Sequence, residues 1–325
     1  MPQRRVDVQI AYWTLLLLAG FLAAGLAGFW LAVRPPRLTI ALLPRDYGLS
    51  AEEVTITADD GIRLSAWFIP RPGAPGLILL HGYPAEKADL LPLAAALHRD
   101  FAVLLVDLRY FGRSGGRMTT LGFRERSDLR RAVDVLDGRG VSPVGVFGFS
   151  LGGGVALLGA VEDERIRAVA AYAPFADLRM LGRELYAYLW LLKYPLVETM
   201  ILWGRLVAGG DLSRPSPAAA ARTLTIPVLL IASRTDEQIS FRHAERLREA
   251  LRGNPAAEFL FGDYGRHGEL SPELEGRIRR FFKSSRTRIR VPSRQPVVRL
   301  VGAVSLAMPT DDWASVGDGP GNRRW

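Results

Sequence analysis

Six short, nearly uninterrupted apolar runs recur along the middle of the chain: GLILL (76–80), AVLLV (102–106), VGVF (144–147), RAVAAY (167–172), PVLLIA (227–232) and AEFLF (257–261). A strand covered on one face alternates apolar and polar residues, whereas a strand covered on both faces does not, so runs like these indicate a parallel sheet between helices. Helical spacing of apolar residues fills the intervals at 89–98, 124–136, 151–161, 242–251 and 272–282. This alternation predicts an α/β fold with a doubly wound, mostly parallel sheet. Ahead of it, VTITA (54–58) and IRLSAWFI (62–69) alternate in polarity about Asp59-Asp60-Gly61, which predicts a hairpin.

One stretch breaks the rhythm. Residues 176–217 contain LYAYLWLLKYPLVETMILWGRLVAG, apolar on more than one helical face. Arg183, Glu184, Lys193, Glu198 and Arg205 divide it into pieces too short to cross a bilayer, so a helical cap over the active site is expected there rather than a membrane span. A length of 325 residues, 49% of them hydrophobic and 23% charged, suits one large folded domain with additions, here assigned to 51–283. Residues 284–325 mix Pro, Gly, Ser and Arg without periodicity and are expected to be a disordered basic tail.

Near the start, after a nine-residue tail, residues 10–33 read IAYWTLLLLAGFLAAGLAGFWLAV, a run of 24 without a charge. About 20 apolar residues suffice to span a bilayer core. Tyr12, Trp13 and Trp30 lie near the two ends of the run, with Arg4, Arg5, Arg34 and Arg37 flanking it, as in a single-pass anchor followed by a linker over 34–50. The alternative is a cleaved secretory signal, with Gly25 and Ala27 as the small residues before the cut. Arginines on both flanks leave the orientation open.

Net charge is +9, of which the tail beyond Ser284 supplies +4 through seven arginines against three aspartates. The remaining +5 carries no long basic run, so no nucleic-acid partner is expected, and anionic lipid is the better match for the excess. Lysine occurs only at positions 87, 193 and 283. Such a bias toward arginine suggests GC-rich coding and a bacterial cell membrane. The absence of cysteine removes disulfides, thiolate metal sites and a cysteine nucleophile.

Chemistry concentrates at Gly148-Phe149-Ser150-Leu151-Gly152, a G-x-S-x-G pentapeptide placed between the strand VGVF and an apolar helix. A serine hydroxyl needs a base to take its proton. Of four histidines, His98 and His243 lie on amphipathic helices and read as surface residues, and His81 belongs to the loop after GLILL. His267 remains, in the glycine-bracketed loop GDYGRHGEL after the last strand. The base in turn needs a carboxylate. Asp236, just past the end of PVLLIA, lies at the carboxyl edge of the sheet, and Asp263 is its rival. For a developing oxyanion, the backbone N–H groups of Leu151 and of Tyr83, in His81-Gly82-Tyr83-Pro84, are suitably positioned donors.

With these residues in hand, the chain resembles the α/β-hydrolase superfamily over residues 51–283. HGYP is similar to that family's HG-x-x oxyanion loop. The run Asp107-Leu108-Arg109-Tyr110-Phe111-Gly112-Arg113-Ser114-Gly115-Gly116 is similar to its D-x-R-G-x-G-x-S loop, with Tyr110 in place of the first glycine and an altered loop shape expected in consequence. The resemblance extends to membrane-tethered, serine-aminopeptidase-like and acyl-thioesterase-like members. It implies an α/β-hydrolase fold and cofactor-free hydrolysis of an ester, thioester or amide through Ser150, His267 and Asp236, with a hydrophobic acyl or lipid-like substrate suggested by the apolar cap. An aminopeptidase would need an acidic pocket, for which Glu184 and Glu198 are the candidates. A non-catalytic membrane-tethered binding protein is the third reading.

Overall fold

The computed structural model describes residues 2–288, with side chains over 7–285. The first element is α1 (Pro2–Val33), and its segment Asp7–Val33 is the one helix among the described residues long and apolar enough to cross a membrane. The helix takes in the segment expected to be a separate tail. No glycine or proline separates positions 3–9 from the apolar run, so helical hydrogen bonding propagates back through them. The segment 34–50 that follows is ordered. It forms a 3-10 turn at Pro44–Tyr47 and buries Pro44 and Leu49.

The hairpin forms from β1 (Glu52–Thr57) and β2 (Arg63–Ile69), with Gly61 at φ 78° in the turn. The remaining strands are β3 (Gly76–Leu80), β4 (Ala102–Val106), β5 (Val144–Phe149), β6 (Ile166–Tyr172), β7 (Val228–Ser233) and β8 (Ala257–Gly262). Their order in the sheet is β1-β2-β4-β3-β5-β6-β7-β8, parallel from β4 onward and antiparallel only where the hairpin joins.

Alternate residues of each central strand feed two cores. Ile78 and Leu80 face one layer, made by α3 (Glu125–Asp137), α4 (Leu151–Glu162), α7 (Pro217–Ala221) and α8 (Phe241–Ala250). Leu77 and Leu79 face the other, made by α2 (Leu91–His98) and α9 (Pro272–Arg288). Coverage on both faces is why these strands carry no polar alternation. Helix α9 continues five residues past the boundary expected at 283, and Ser285 is buried there. The rest of the tail, 289–325, lies outside the described residues.

Between β6 and α7 the chain forms α5 (Leu178–Leu185), a 3-10 segment (Ala187–Leu192) and α6 (Lys193–Ala208). These are the expected cap. A third, small core joins Phe29 and Val33 of α1 to Ala208 and Leu212 at the end of α6.

Candidate active site

Strand β5 ends at Phe149, α4 begins at Leu151, and Ser150 makes the whole turn between them at φ 51° and ψ −111°. A non-glycine residue held there costs on the order of 1–3 kcal/mol. The turn closes because its neighbours lack side chains: a Cβ at Gly148 would run into Gly152 O, and one at Gly152 into Leu80 O. Ser150 N donates to Tyr172 O (2.8 Å) and Gly152 N to His81 O (3.1 Å), so the turn is tied to both neighbouring strands' ends.

Ser150 Oγ lies 3.1 Å from His267 Nε2, and His267 Nδ1 lies 2.7 Å from Asp236 Oδ2. The other oxygen of Asp236 accepts from Gln238 N (2.9 Å) and Ile239 N (2.8 Å). Burial alone would raise the Asp236 carboxyl, but the hydrogen bonds from His267 and from the Ile239 and Gln238 amides outweigh it and hold it below its ordinary value. An ionised Asp236 fixes the proton on Nδ1 and leaves Nε2 as an acceptor for the serine hydroxyl. Asp263, the rival carboxylate, is solvent-exposed.

The loop carrying His267 is held from several sides. Ser233 Oγ (2.7 Å) and Thr235 Oγ1 (2.8 Å) donate to Gly265 O, Tyr172 Oη donates to Glu269 O (2.8 Å), and Glu237 accepts from His267 N (3.1 Å). Phe149 stacks on the imidazole at 4.8 Å between ring centroids. None of these supports had a signal in the sequence beyond the glycines that bracket the loop.

His81 is fully buried. Its Nδ1 donates to Gly82 O (2.7 Å) and its Nε2 accepts from Leu108 N (3.0 Å), joining the loop after β3 to the loop after β4. Burial pushes this imidazole toward its neutral form, against the pull of Asp107. His81 therefore positions the HGYP turn, and Tyr83 and Leu151 both line the same cavity as Ser150.

His243 differs from the expectation of a surface residue. It is fully buried in α8, with Nδ1 accepting from Ala176 N (2.9 Å) and Nε2 3.2 Å from Glu184. The spacing of His243, Leu247 and Ala250, one face of the helix, carries the signal that places it inside. His98 is half-buried at the end of α2.

The loop 107–116 is an internal network. Asp107 pairs with buried Lys87 and accepts from Arg113 N, and Arg109 grips Asp128 through two bonds. Tyr110 adopts φ 76°, the left-handed conformation that glycine favours. Its hydroxyl donates to Pro35 O (2.7 Å) and the Arg37 guanidinium lies 4.6 Å over its ring.

Ser150 opens into a cavity of about 430 Å³ lined by residues from α1, the HGYP turn, the elbow, the cap and the segment after Asp236. That volume is in the range of roughly 300–1,000 Å³ occupied by small-molecule sites. Among the described residues no charged side chain lines it; the walls are residues such as Leu178, Leu181, Met200 and Ile239. Glu184 is engaged by His243 and Ser240, Glu198 by Arg179 and Arg183, and neither lines the cavity. No group of acidic or histidine side chains suited to a metal occurs among the described residues.

An eight-stranded sheet of this order, a serine elbow after β5 and a cap after β6 define a hydrolase architecture, and the chain belongs to the α/β-hydrolase fold family. That family's model matches residues 75–196. YfhR of Escherichia coli O157:H7, an uncharacterized protein, is 30% identical over 243 residues, which cover 71% of this chain and 78% of YfhR. YqkD of Bacillus subtilis, also uncharacterized, is 32% identical over 59% of this chain and 64% of its own. Among solved structures, the Pyrococcus furiosus esterase Pf2001 superposes with a TM-score of 0.64 at 26% identity, covering 78% of this chain and 99% of the esterase.

Proposed function

We propose that the chain is a membrane-anchored serine hydrolase that cleaves esters or thioesters of hydrophobic acyl groups through Ser150, His267 and Asp236. The observation that carries this reading is the continuous hydrogen-bonded series from Asp236 through His267 to Ser150 Oγ at the floor of an uncharged cavity. Similarity to an esterase supports it.

In the first half-reaction Ser150 Oγ adds to the acyl carbonyl carbon while its proton passes to His267 Nε2. The negative charge that develops on the carbonyl oxygen is met by the N–H groups of Tyr83 and Leu151. Collapse breaks the bond to the leaving alcohol or thiol, which takes the proton from Nε2. Water then repeats the sequence: Nε2 accepts its proton, the hydroxide oxygen bonds to the acyl carbon, and Ser150 Oγ recovers a proton as the acid departs. Asp236 stays ionised and balances the imidazolium in both halves.

Amide cleavage at a free amino terminus is disfavoured by the pairing of Glu184 and Glu198 elsewhere, since a buried ammonium needs an acidic partner. A panel of p-nitrophenyl esters of rising chain length and aminoacyl p-nitroanilides tests the reading. Turnover of medium and long acyl esters that disappears in Ser150→Ala is expected. Preferential turnover of aminoacyl anilides, or none of either series, contradicts it. Helix α1 is read as a single-pass anchor on its length and apolar character.

A further inference from the structure

The cavity beside Ser150 is closed on one side by α1 itself. Phe29, Leu31, Ala32 and Val33 line it together with Met200 of α6. This is a built contact. Gly25 packs on Thr199 and Gly28 on Met200, so the two helices approach closely through small residues, as helices do within membranes. Trp203 Nε1 donates to Leu22 O (3.0 Å), Thr119 N to Val33 O (3.0 Å), and Tyr110 Oη to Pro35 O (2.7 Å). These bonds fix both sides of the last turns of α1 to the domain.

Two of the apolar residues that line the cavity are at the same time open to the surroundings: Leu31 of α1 is 75% exposed and Leu185 of α5 is 60% exposed. They form an apolar rim. Beyond it the cap presents Tyr188, Leu192 and Trp190, the last 76% exposed and at φ 51°, while the other end of α1 presents Trp13, Leu15 and Leu17. Apolar exposure on this scale belongs in a bilayer, the cap face in its interfacial layer and the far end of α1 in its apolar interior.

We infer that α1 is a wall of the acyl site as well as an anchor, and that the substrate is a fatty-acyl ester or thioester resident in the membrane. Its chain passes between Leu31 and Leu185 and lies against Phe29 and Ala32, with its carbonyl at Ser150. The inference rests on the serine-hydrolase reading and deepens it. It also makes α1 a permanent part of the enzyme, because a cut after Ala27 would strip away the stretch that meets Thr199 and Trp203.

The test uses the full chain in detergent micelles, with active sites counted by a short-chain fluorophosphonate. Ala32→Trp fills the wall, so the laurate-to-acetate ratio of kcat/KM for p-nitrophenyl esters should fall about ten-fold or more, the scale on which pockets sort acyl chains. An unchanged ratio in a chain that still titrates at Ser150 overturns the inference and leaves the hydrolase reading standing. Loss of Ser150 titration in the wild type overturns the hydrolase reading instead, and the inference with it. A dodecyl fluorophosphonate carrying a terminal diazirine gives a second measurement that needs no variant. Photolysis of its Ser150 adduct should cross-link residues 29–33, and cross-links confined to other parts of the chain overturn the proposal.

Discussion

Asp236 meets three donors at once, the imidazole of His267 and the amides of Gln238 and Ile239, and this crowding decides how it behaves. An aspartate so surrounded is held ionised, and its folded-state value lies below the ordinary 3.8. The stability it adds is complete above that ordinary value and is lost as pH falls through the depressed one. The Tm advantage of wild type over Asp236→Asn should therefore be widest near neutrality and shrink below pH 3.8. A gap that widens on acidification would show that the carboxylate is not stabilised by its partners. For catalysis the same substitution removes the group that sets the tautomer, an effect of about 10⁴ in kcat where measured in other triads. Steady-state assays of Asp236→Asn should show a fall of that order, with far slower fluorophosphonate labelling. His81→Leu, which strands the Leu108 amide and loosens HGYP, should lower kcat while labelling persists, because Ser150 and His267 are untouched.

At the scale of elements, short loops at the carboxyl ends of parallel strands bring together residues distant in sequence. The strands and α2, α3, α4 and α8 were legible to within two residues, since continuous apolar runs and helical spacing report burial directly, whereas α1 and α9 run further than their apolar patterns because polar turns extend them. The residues proposed as the triad, Ser150, Asp236 and His267, could be singled out because each lies in a loop that follows a strand, β5, β7 and β8 in turn. The hydrogen bonds that steady the His267 loop were not, since Ser233, Thr235 and Tyr172 act on backbone carbonyls that no local pattern reveals. Tyr110 makes the same point: at φ 76° its hydroxyl and ring meet Pro35 and Arg37, partners distant in sequence that no local pattern reveals. Tyr110→Phe should lose one hydrogen bond to the linker, a cost of about 0.5–1.5 kcal/mol readable as a shift in the denaturation midpoint. No shift would mean that the bond to Pro35 does not contribute.

For the molecule as a whole, the 10–33 run marked a helix long and apolar enough to span a bilayer, but nothing in it showed that α1 docks on α6 and borders the cavity; that contact joins segments far apart in sequence through side chains with no polar signature. As an anchor, α1 should keep the protein in the membrane pellet through a carbonate wash. Leu17→Arg combined with Leu18→Arg, each adding roughly 3 kcal/mol to the cost of insertion, should shift it to the supernatant. Wild-type protein in the carbonate supernatant would contradict the anchor.

The central claim, that Ser150 is a nucleophile activated by His267, is tested most directly by mapping the residue that a fluorophosphonate modifies. Tandem mass spectrometry of the labelled protein should find the adduct on Ser150, absent in Ser150→Ala and strongly slowed in His267→Ala. An adduct on any other residue, or labelling that survives Ser150→Ala, would contradict it.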